Sequence, residues 1–280
     1  MASDSANKNT TNIATARLVN HISRILIIAY KESTEKLEKF FAEAGFECEV
    51  VRQEDKPEYQ NLSRSYLCLM NHKRAWEKAT QESQPTLIVE ADFVPVVGFS
   101  QLPLPFHPSH NDVGIAWLYT CASQVYSVSE LGYAEGFSTS MVAYIINAKS
   151  AQHLIHFAEA LQAKQEGNVY STWDSDIDSL LRGKKLKNYI PFRNYGEHGG
   201  LPNPEHYKNG LSKTHRADVL YSKLAFSPLY TTEENLFLAR VKARIKGIGR
   251  LATGRFLRIA VIRGSSTPNR LIAFAVKRQF

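Results

Sequence analysis

Apolar residues along this chain recur with two periods, and the alternation between them predicts an α/β protein. The apolar run at 24–30 has the length and β-branched content of a buried strand. A helix is predicted over 34–44, where Gly45 ends it, and a second strand over 47–52. Strand, helix and strand at this spacing form a βαβ unit, which favours a parallel sheet with helices on both faces.

The alternation continues beyond this unit. Tyr66, Leu69 and Trp76 fall on one helical stripe and predict a helix over about 62–82. The other predicted elements are strands at 86–89, 112–119, 141–147 and 187–192, a helix at 148–164, loops at 102–110, 132–140 and 193–209, and a basic helix at 233–246. We therefore predict an open, mostly parallel sheet with helices on both faces, followed by a basic helical C-terminal tail.

Charge is distributed unevenly along the chain. The net charge is +7, but no acidic residue follows Glu234, whereas 11 Lys and Arg residues do. The remaining 23 of the 34 Lys and Arg residues face 27 Asp and Glu residues in 1–234, a net charge of −4. We therefore predict a mildly acidic domain at 23–232 and a basic amphipathic tail at 233–280.

The amino terminus and the cysteines bear on location. Residues 1–22 are polar and rich in Ser, Asn and Thr, which predicts a disordered leader, and no apolar stretch before Ile25 resembles a signal-peptide core. Three scattered cysteines without a CxxC pair fit a reducing compartment. No apolar run approaches the ~18 to 20 residues of a membrane-spanning helix. We expect a cytoplasmic protein.

Two carboxylates end the predicted strand at 86–89. Only Ala91 separates Glu90 from Asp92, and alternate side chains of a strand share a face, so both carboxylates can reach one divalent cation. In open α/β sheets, ligands gather at the carboxyl ends of the strands. The pair is a candidate metal site, although two acids here could equally be a helix N-cap or a solvated strand end.

Three sequence blocks in this order, within residues 24–182, resemble glycosyltransferase family 25, the lipooligosaccharide and procollagen galactosyltransferase-like group. The family has a Ser-His-x-x-x-Trp helix, then a Leu-Glu-Asp-Asp-Val strand, then a Tyr-Ile-Ile-Ser-like strand. The matching blocks here are Asn71-His72-Lys73-Arg74-Ala75-Trp76, Val89-Glu90-Ala91-Asp92-Phe93 and Tyr144-Ile145-Ile146-Asn147. Two departures stand out: Asn71 replaces the usual Ser, and Ala91 replaces the middle Asp.

The resemblance implies a GT-A fold and a metal-dependent, inverting transfer of a hexose, such as galactose, from a UDP-sugar to a surface-glycan or lipopolysaccharide-type acceptor. It implies that Glu90 and Asp92 hold Mn²⁺ or Mg²⁺, and that Asn71 and His72 lie with Glu90 near the donor. The segment 71–74 could equally be an exposed helix face.

Further candidates lie downstream. A distal His often completes a metal site in this fold, and we expect His198 in a Gly-rich loop to do so, although a loop His can equally be an ordinary surface residue. An inverting transferase needs a carboxylate that takes the proton of the acceptor hydroxyl. Asp176 or Asp174 is the predicted base. Together with Asp178, these acids could instead complement the positive end of a helix.

Two rival hypotheses remain. The departure at Ala91 suggests a catalytically silent family member that binds glycan or protein. The basic tail suggests a nucleic-acid-binding protein, but residues 235–280 interleave Leu, Ile, Val and Phe with Arg more than they offer aromatic stacking platforms, so nucleic acid is the less favoured partner. The same composition predicts binding to an anionic membrane surface. We therefore expect a peripheral protein on the inner face of the membrane, where a glycan or lipid-linked glycan acceptor would lie.

Overall fold

The computed structural model describes residues 16–164, 167–201, 208–209 and 215–280. Its strands are β1 (Arg24–Ala29), β2 (Cys48–Arg52), β3 (Thr86–Glu90), β4 (Phe93–Pro95), β5 (Val113–Trp117), β6 (Gln124–Val128), β7 (Ala134–Phe137), β8 (Ala143–Ile146), β9 (Lys187–Ile190) and β10 (Gly196–His198). Its α-helices are α1 (Glu35–Glu43), α2 (Arg64–Ala79), α3 (Ala148–Lys164), α4 (Ile177–Gly183), α5 (Leu236–Ala252), α6 (Ile259–Gly264) and α7 (Pro268–Gln279).

Eight strands form one open sheet in the order β2-β1-β3-β8-β5-β9-β7-β6. Strand β1 is parallel to both β2 and β3, and β5 is parallel to β9, whereas the other neighbours are antiparallel. Six of the eight strands therefore point the same way, and β7 and β8 are reversed. This arrangement confirms the predicted α/β class with an open, mostly parallel sheet.

Helices cover both faces of the sheet because its central strands are apolar on both sides. In β1, Leu26 and Ile28 pack into the layer that contains α2, α3 and α4, whereas Ile25 and Ile27 pack into the layer that contains α1. Alternate side chains of a strand point to opposite faces, so each strand contributes to both cores.

Residues 16–22 close the layer that contains α1. Ala16, Leu18 and Ile22 are buried there, and the Leu18 N–H donates to the Leu102 carbonyl at 3.0 Å. The disorder predicted for 1–22 therefore does not apply to this part, because burial of three apolar side chains outweighs the polar composition of the segment. The rest of the predicted leader, residues 1–15, lies outside the described residues.

Sequence patterns miss two pairs of short strands. The predicted loop at 132–140 contains β7, which pairs with β6, and the predicted loop at 193–209 contains β10, which pairs with β4. Tertiary fit rather than periodicity sets these strands. A Cβ on Gly196 would fall 2.4 Å from the Phe93 ring, so only glycine allows β10 to approach β4 this closely. The β4–β10 pair positions His198.

The basic C-terminal segment packs against the sheet. Helix α5 runs to Ala252, beyond the predicted end at 246, and α6 and α7 follow it. The Val125 N–H on β6 donates to the Phe256 carbonyl at 2.9 Å. The segment contributes to the core that contains α2 through Phe256, Leu257, Leu271, Phe274 and Ala275. Among the described helices, none is long and apolar enough to cross a membrane.

Candidate active site

Glu90, Asp92 and His198 converge at the carboxyl end of β3. Glu90 is the last residue of β3, Asp92 lies in the turn between β3 and β4, and His198 ends β10, opposite Phe93 of β4. One ligand atom from each of the three residues lies within 4.8 Å of the others, and His198 Nε2 is 3.0 Å from Asp92 Oδ2. The fold thus brings His198 to two carboxylates that lie more than 100 residues earlier in the sequence.

Two glycines make room for this approach. The Gly199 N–H donates to the Asp92 carbonyl at 2.8 Å, which holds the loop after β10 against the β3–β4 turn. A Cβ on Gly200 would lie 2.3 Å from Asp92 Oδ2, so any larger residue there would displace the carboxylate. The Gly-rich sequence around His198 is therefore required by the close packing of backbone against Asp92.

Charge couples the histidine to the acids. Burial alone lowers the pKa of His198, but the charge of Asp92, the hydrogen bond to it and the charge of Glu90 outweigh burial and raise the pKa of His198 to about 9. Burial likewise raises the pKa of Asp92, but His198 and Arg216 lower it below its usual value. Without a cation, the pair is therefore an imidazolium and a carboxylate at neutral pH.

The cluster has the donor set of a divalent-cation site. Asp92 Oδ1 is buried, and it has no hydrogen-bond partner in the part of the chain that the structure describes. Two carboxylates with one imidazole suit Mn²⁺, and the carboxylates suit Mg²⁺. His198 would have to release its extra proton before its ring could ligate a metal. Glu90, Asp92 and His198 therefore fit the cation that the sequence predicted.

The three sequence blocks meet behind Glu90. The Trp76 Nε1–H donates to the Tyr144 hydroxyl at 2.8 Å, and that hydroxyl lies 2.8 Å from His72 Nδ1. His72 Nε2 in turn lies 3.3 Å from Glu90 Oε1. We assign the Tyr144 O–H as donor to His72 Nδ1, which leaves the ring proton on Nε2, facing Glu90. The series of bonds fixes the orientation of the Glu90 carboxylate.

Asn71 and His72 are both buried, so the segment 71–74 is not simply an exposed helix face. The Asn71 side-chain amide donates to the Ala29 carbonyl at 3.1 Å and accepts from Arg74 Nη2 at 2.8 Å. Asn71 thus joins α2 to the end of β1. His72, rather than Asn71, contacts the acidic cluster.

The aspartates before and within α4 differ in environment. Asp178 is buried and accepts hydrogen bonds from Asn188 Nδ2 at 2.8 Å and the Tyr126 hydroxyl at 3.3 Å, and it lies 3.5 Å from Arg182 Nε. These contacts give Asp178 a structural role. Asp176 occupies the N-cap position of α4, but it is exposed and its side chain makes no capping bond.

Asp174 is partly buried and electrostatically coupled to the cluster. Burial, followed by the charges of Glu90 and Asp176, raises the pKa of Asp174 to about 7, although backbone N–H groups of Asp174 and Ser175 act in the opposite direction. A carboxylate that titrates near neutral pH is well suited to accept a proton from a substrate. Of the two predicted bases, Asp174 therefore has the environment that this role requires.

Arg216 is a site residue that the sequence does not predict. Its Nη1–H donates to the carbonyls of His198 at 3.1 Å and Gly200 at 3.4 Å, and its guanidinium stacks on Tyr230 with 3.6 Å from Cζ to the ring centroid. The side chain is only 7% exposed, and its sole ion pair within the described residues is a 3.9 Å contact with Glu234.

The guanidinium of Arg216 retains unused donors. Its Nε and Nη2 are buried without a hydrogen-bond partner in the described ranges, and its charge acts on both Asp92 and His198. A desolvated guanidinium with free donors recognises oxyanions such as phosphate. No local pattern could reveal this role, because it depends on the Tyr230 ring and on carbonyls in a different part of the chain.

Comparisons with known proteins give limited information. No protein-family model and no curated protein sequence matches the chain. Among solved structures, the chain is similar to the "crystal structure of a glycosyltransferase involved in the glycosylation of the major capsid of PBCV-1", with a TM-score of 0.37 and 11% identity over 60% of this chain and 81% of that chain. A likeness at this level carries no functional argument, so function must be inferred from the site.

Proposed function

We propose that this chain is a glycosyltransferase that uses a divalent cation to move a hexose from a UDP-sugar to a glycan acceptor, with inversion at the anomeric carbon. One observation carries the proposal: Glu90, Asp92 and His198 converge at the carboxyl end of a central strand, and Asp92 has an oxygen without a hydrogen-bond partner among the described residues. This edge of an open α/β sheet is where ligands gather. A surface glycan or lipopolysaccharide-type molecule is the proposed acceptor class.

A bound Mn²⁺ or Mg²⁺ would act as a Lewis acid on the diphosphate leaving group. Glu90, Asp92 and His198 would hold it. The hydrogen bonds that run from Trp76 through Tyr144 and His72 fix the orientation of Glu90. The departure at Ala91 removes no ligand from this set, because Ala91 packs against the apolar layer that contains α1.

Arg216 is proposed to bind the diphosphate of the donor. Negative charge grows on the leaving diphosphate as the glycosidic bond breaks, so donors that are already positioned stabilise the transition state more than the ground state. The Nε–H and Nη2–H of Arg216, which form no hydrogen bond within the described residues, are such donors. Tyr230 and the carbonyls of His198 and Gly200 hold the guanidinium in place.

Asp174 is proposed as the general base. The acceptor hydroxyl oxygen attacks the anomeric carbon and forms the new C–O bond, while the bond to the diphosphate breaks and its electron pair leaves with UDP. The hydroxyl proton passes to the Asp174 carboxylate. A pKa of about 7 lets this carboxylate be ionised at neutral pH and still bind the proton.

Release of UDP from a panel of UDP-hexoses, with Mn²⁺ or Mg²⁺ and with or without glycan acceptors, tests the proposal. We expect Asp92→Ala to lower UDP release on the order of 10³-fold, because it removes a carboxylate that holds the cation. Glu130→Ala is the matched control, since that side chain is 86% exposed in the β6–β7 turn. Calorimetric titration with Mn²⁺ should show binding to the parent and control proteins only.

Two outcomes would count against the proposal in different ways. UDP release that survives both Asp92→Ala and a chelator would rule out the metal-dependent mechanism. Binding of Mn²⁺ and UDP without release from any UDP-hexose would instead favour the catalytically silent binding module.

A further inference from the structure

The basic residues of the C-terminal segment divide into two groups. Five are bound within the protein: Arg240 to Glu197, Arg244 to Gln279, Arg250 to the Ser123 carbonyl, Arg270 to Glu130 and Arg278 to Asp218. The other six are exposed and form no ion pair with any acid in the described residues: Lys242, Lys246, Arg255, Arg258, Arg263 and Lys277. Six of the 11 positive charges therefore form no ion pair that would hold the fold together.

Exposed apolar side chains lie among these free charges. On α5, Phe237, Val241 and Ile245 recur every four residues, and Phe237 and Ile245 are 73% and 64% exposed. This stripe lies opposite the buried stripe Ala239, Ala243 and Gly247, and the exposed Lys242 and Lys246 lie along the border between the two stripes. Ordinary surface helices bury their apolar stripe, so this second apolar stripe is unexplained by the packing of the chain.

Helix α7 repeats the pattern. Its exposed side carries Ile272, Val276 and Phe280, again four residues apart, with Lys277 beside them. An apolar groove of about 380 Å³ connects this side to the end of α5. Leu251, Leu257, Ile259, Ile262, Ile272 and Val276 contribute to its walls. The groove offers apolar space of the kind that a lipid acyl chain would fill.

The basic apolar surface begins close to the candidate active site. Arg240 on α5 bonds to Glu197, the neighbour of His198 on β10. A surface that met α5 would therefore lie near the strand that carries His198.

We propose that the exposed face of α5, α6 and α7 docks on an anionic phospholipid bilayer. The inference does not depend on the transfer reaction proposed above. Six unpaired cations complement an anionic leaflet, and the interleaved aliphatic side chains enter the boundary between headgroups and acyl chains. The helices lie along the surface rather than across the bilayer.

Co-sedimentation of the full chain with vesicles tests the docking surface. We expect binding to phosphatidylcholine vesicles that contain 30 to 40% phosphatidylglycerol (about a third anionic lipid, enough for a strong surface potential), release by added NaCl, and little binding to pure phosphatidylcholine. Lys242→Gln with Lys246→Gln should weaken the partition constant on the order of 30-fold, because each basic residue contributes about fivefold. Phe237→Ser with Ile245→Ser should weaken it at least about tenfold through the apolar contribution.

Lys36→Gln with Lys39→Gln is the matched control, because it removes two exposed charges from α1 on the opposite face of the sheet. The control should bind anionic vesicles like the parent, and circular dichroism should show all variants folded. Equal loss in the α1 control, or equal binding to neutral vesicles, would overturn the proposal. So would binding to a single-stranded RNA probe with no binding to anionic vesicles.

Discussion

Arg278 and Arg216 are both nearly buried, yet the surroundings of the two guanidinium groups differ. Arg278 donates to Asp218 Oδ1 at 2.8 Å, to the carbonyls of Pro191 at 2.9 Å and Phe192 at 2.6 Å, and to Thr120 Oγ1 at 3.4 Å. Within the described residues, Arg216 uses only Nη1 in hydrogen bonds to backbone carbonyls, and its Nη2 has no contact closer than the 3.9 Å ion pair with Glu234, whereas in Arg278 only Nε lacks a hydrogen bond. Arg278 fastens the C-terminal helices to the sheet, whereas Arg216 keeps the capacity to bind something else.

The same contrast separates the acids. Asp178 is surrounded by Asn188, Tyr126 and Arg182, so its oxygens are occupied. Within the part of the chain that the structure describes, one oxygen of Asp92 has no hydrogen-bond partner, and burial raises the pKa of Asp174 without a cation nearby to offset it. Buried polar groups normally complete their hydrogen bonds, so Asp92 Oδ1, His198 Nδ1 and Arg216 Nε, which lack a hydrogen bond within the described residues and lie around one strand end, mark a site for a ligand.

The largest expected effect is on stability at Arg278. Arg278→Ala leaves the largely buried Asp218 without its cation, so the free energy of unfolding should fall by about 3–5 kcal/mol. Arg216→Ala removes long bonds to the carbonyls of His198, Gly200 and His215 and should cost only about 1 kcal/mol, but it should raise the Kd for UDP with Mn²⁺ on the order of 10- to 100-fold. Chemical denaturation and calorimetric titration of both variants measure these effects.

Lys277→Ala, which changes an exposed residue next to Arg278, controls for the stability measurement and should change it by less than about 0.5 kcal/mol. If Arg216→Ala destabilised the protein as much as Arg278→Ala and left UDP binding unchanged, the contrast between the two arginines would disappear.

The next effect concerns the reaction rate and the carboxylate of Asp174. Asp174→Asn should lower kcat by about 10²- to 10⁴-fold with little change in donor affinity, as expected when a general base is lost. The parent rate should rise with pH toward the pKa of about 7 and level off above it, because only the ionised carboxylate accepts a proton. Asp176→Asn is the matched comparison, one exposed acid removed from the same turn. Full activity in both variants would return these acids to a purely structural role.

Asp174 should also make the free energy of unfolding depend on pH. Its pKa is raised in the folded protein, so the unfolded chain loses this proton first, and stability from this group falls as pH rises from about 4 to about 7. Asp174→Asn removes that loss, so the metal-free variant should unfold at a higher temperature than the parent at pH 8. A lower unfolding temperature at pH 8 would show that the ionised carboxylate is stabilised by contacts.

Much of the sheet could be predicted because its central strands have a recognisable pattern in the local sequence. The runs around 24–30 and 86–89 are long, apolar and β-branched, since both faces of β1 and β3 are buried. Strands β4 and β10 have three residues each and too little sequence for any period to emerge. They form because Gly196 has no side chain and so leaves room for the Phe93 ring, which belongs to a distant segment of the chain.

The candidate site divides in the same way. Glu90 and Asp92 could be identified because two residues of one strand end carry the pattern, and His198 because glycines surround it. The hydroxyl of Tyr144 and the guanidinium of Arg216 carry no local pattern. Their roles arise from neighbours that only the folded chain supplies, as the bonds of Tyr144 to α2 and the stacking of Arg216 on Tyr230 illustrate.

The smallest expected effect concerns the Tyr144 hydroxyl, whose own hydrogen bonds are complete but which is linked to the acidic cluster. The Tyr144 hydroxyl is completely bonded, between Trp76 and His72, but the series of bonds ends on Glu90 in the cluster. Tyr144→Phe leaves the buried Trp76 N–H without its acceptor, so the free energy of unfolding should fall by about 1–2 kcal/mol. His72 would lose the partner that fixes its ring, and the affinity for Mn²⁺ should fall on the order of tenfold.

Tyr133→Phe, partly exposed at the β6–β7 turn, should change neither quantity. A Tyr144→Phe protein that loses stability but binds Mn²⁺ like the parent would show that the relay supports the core alone, because a purely structural hydroxyl has no reason to alter the metal affinity.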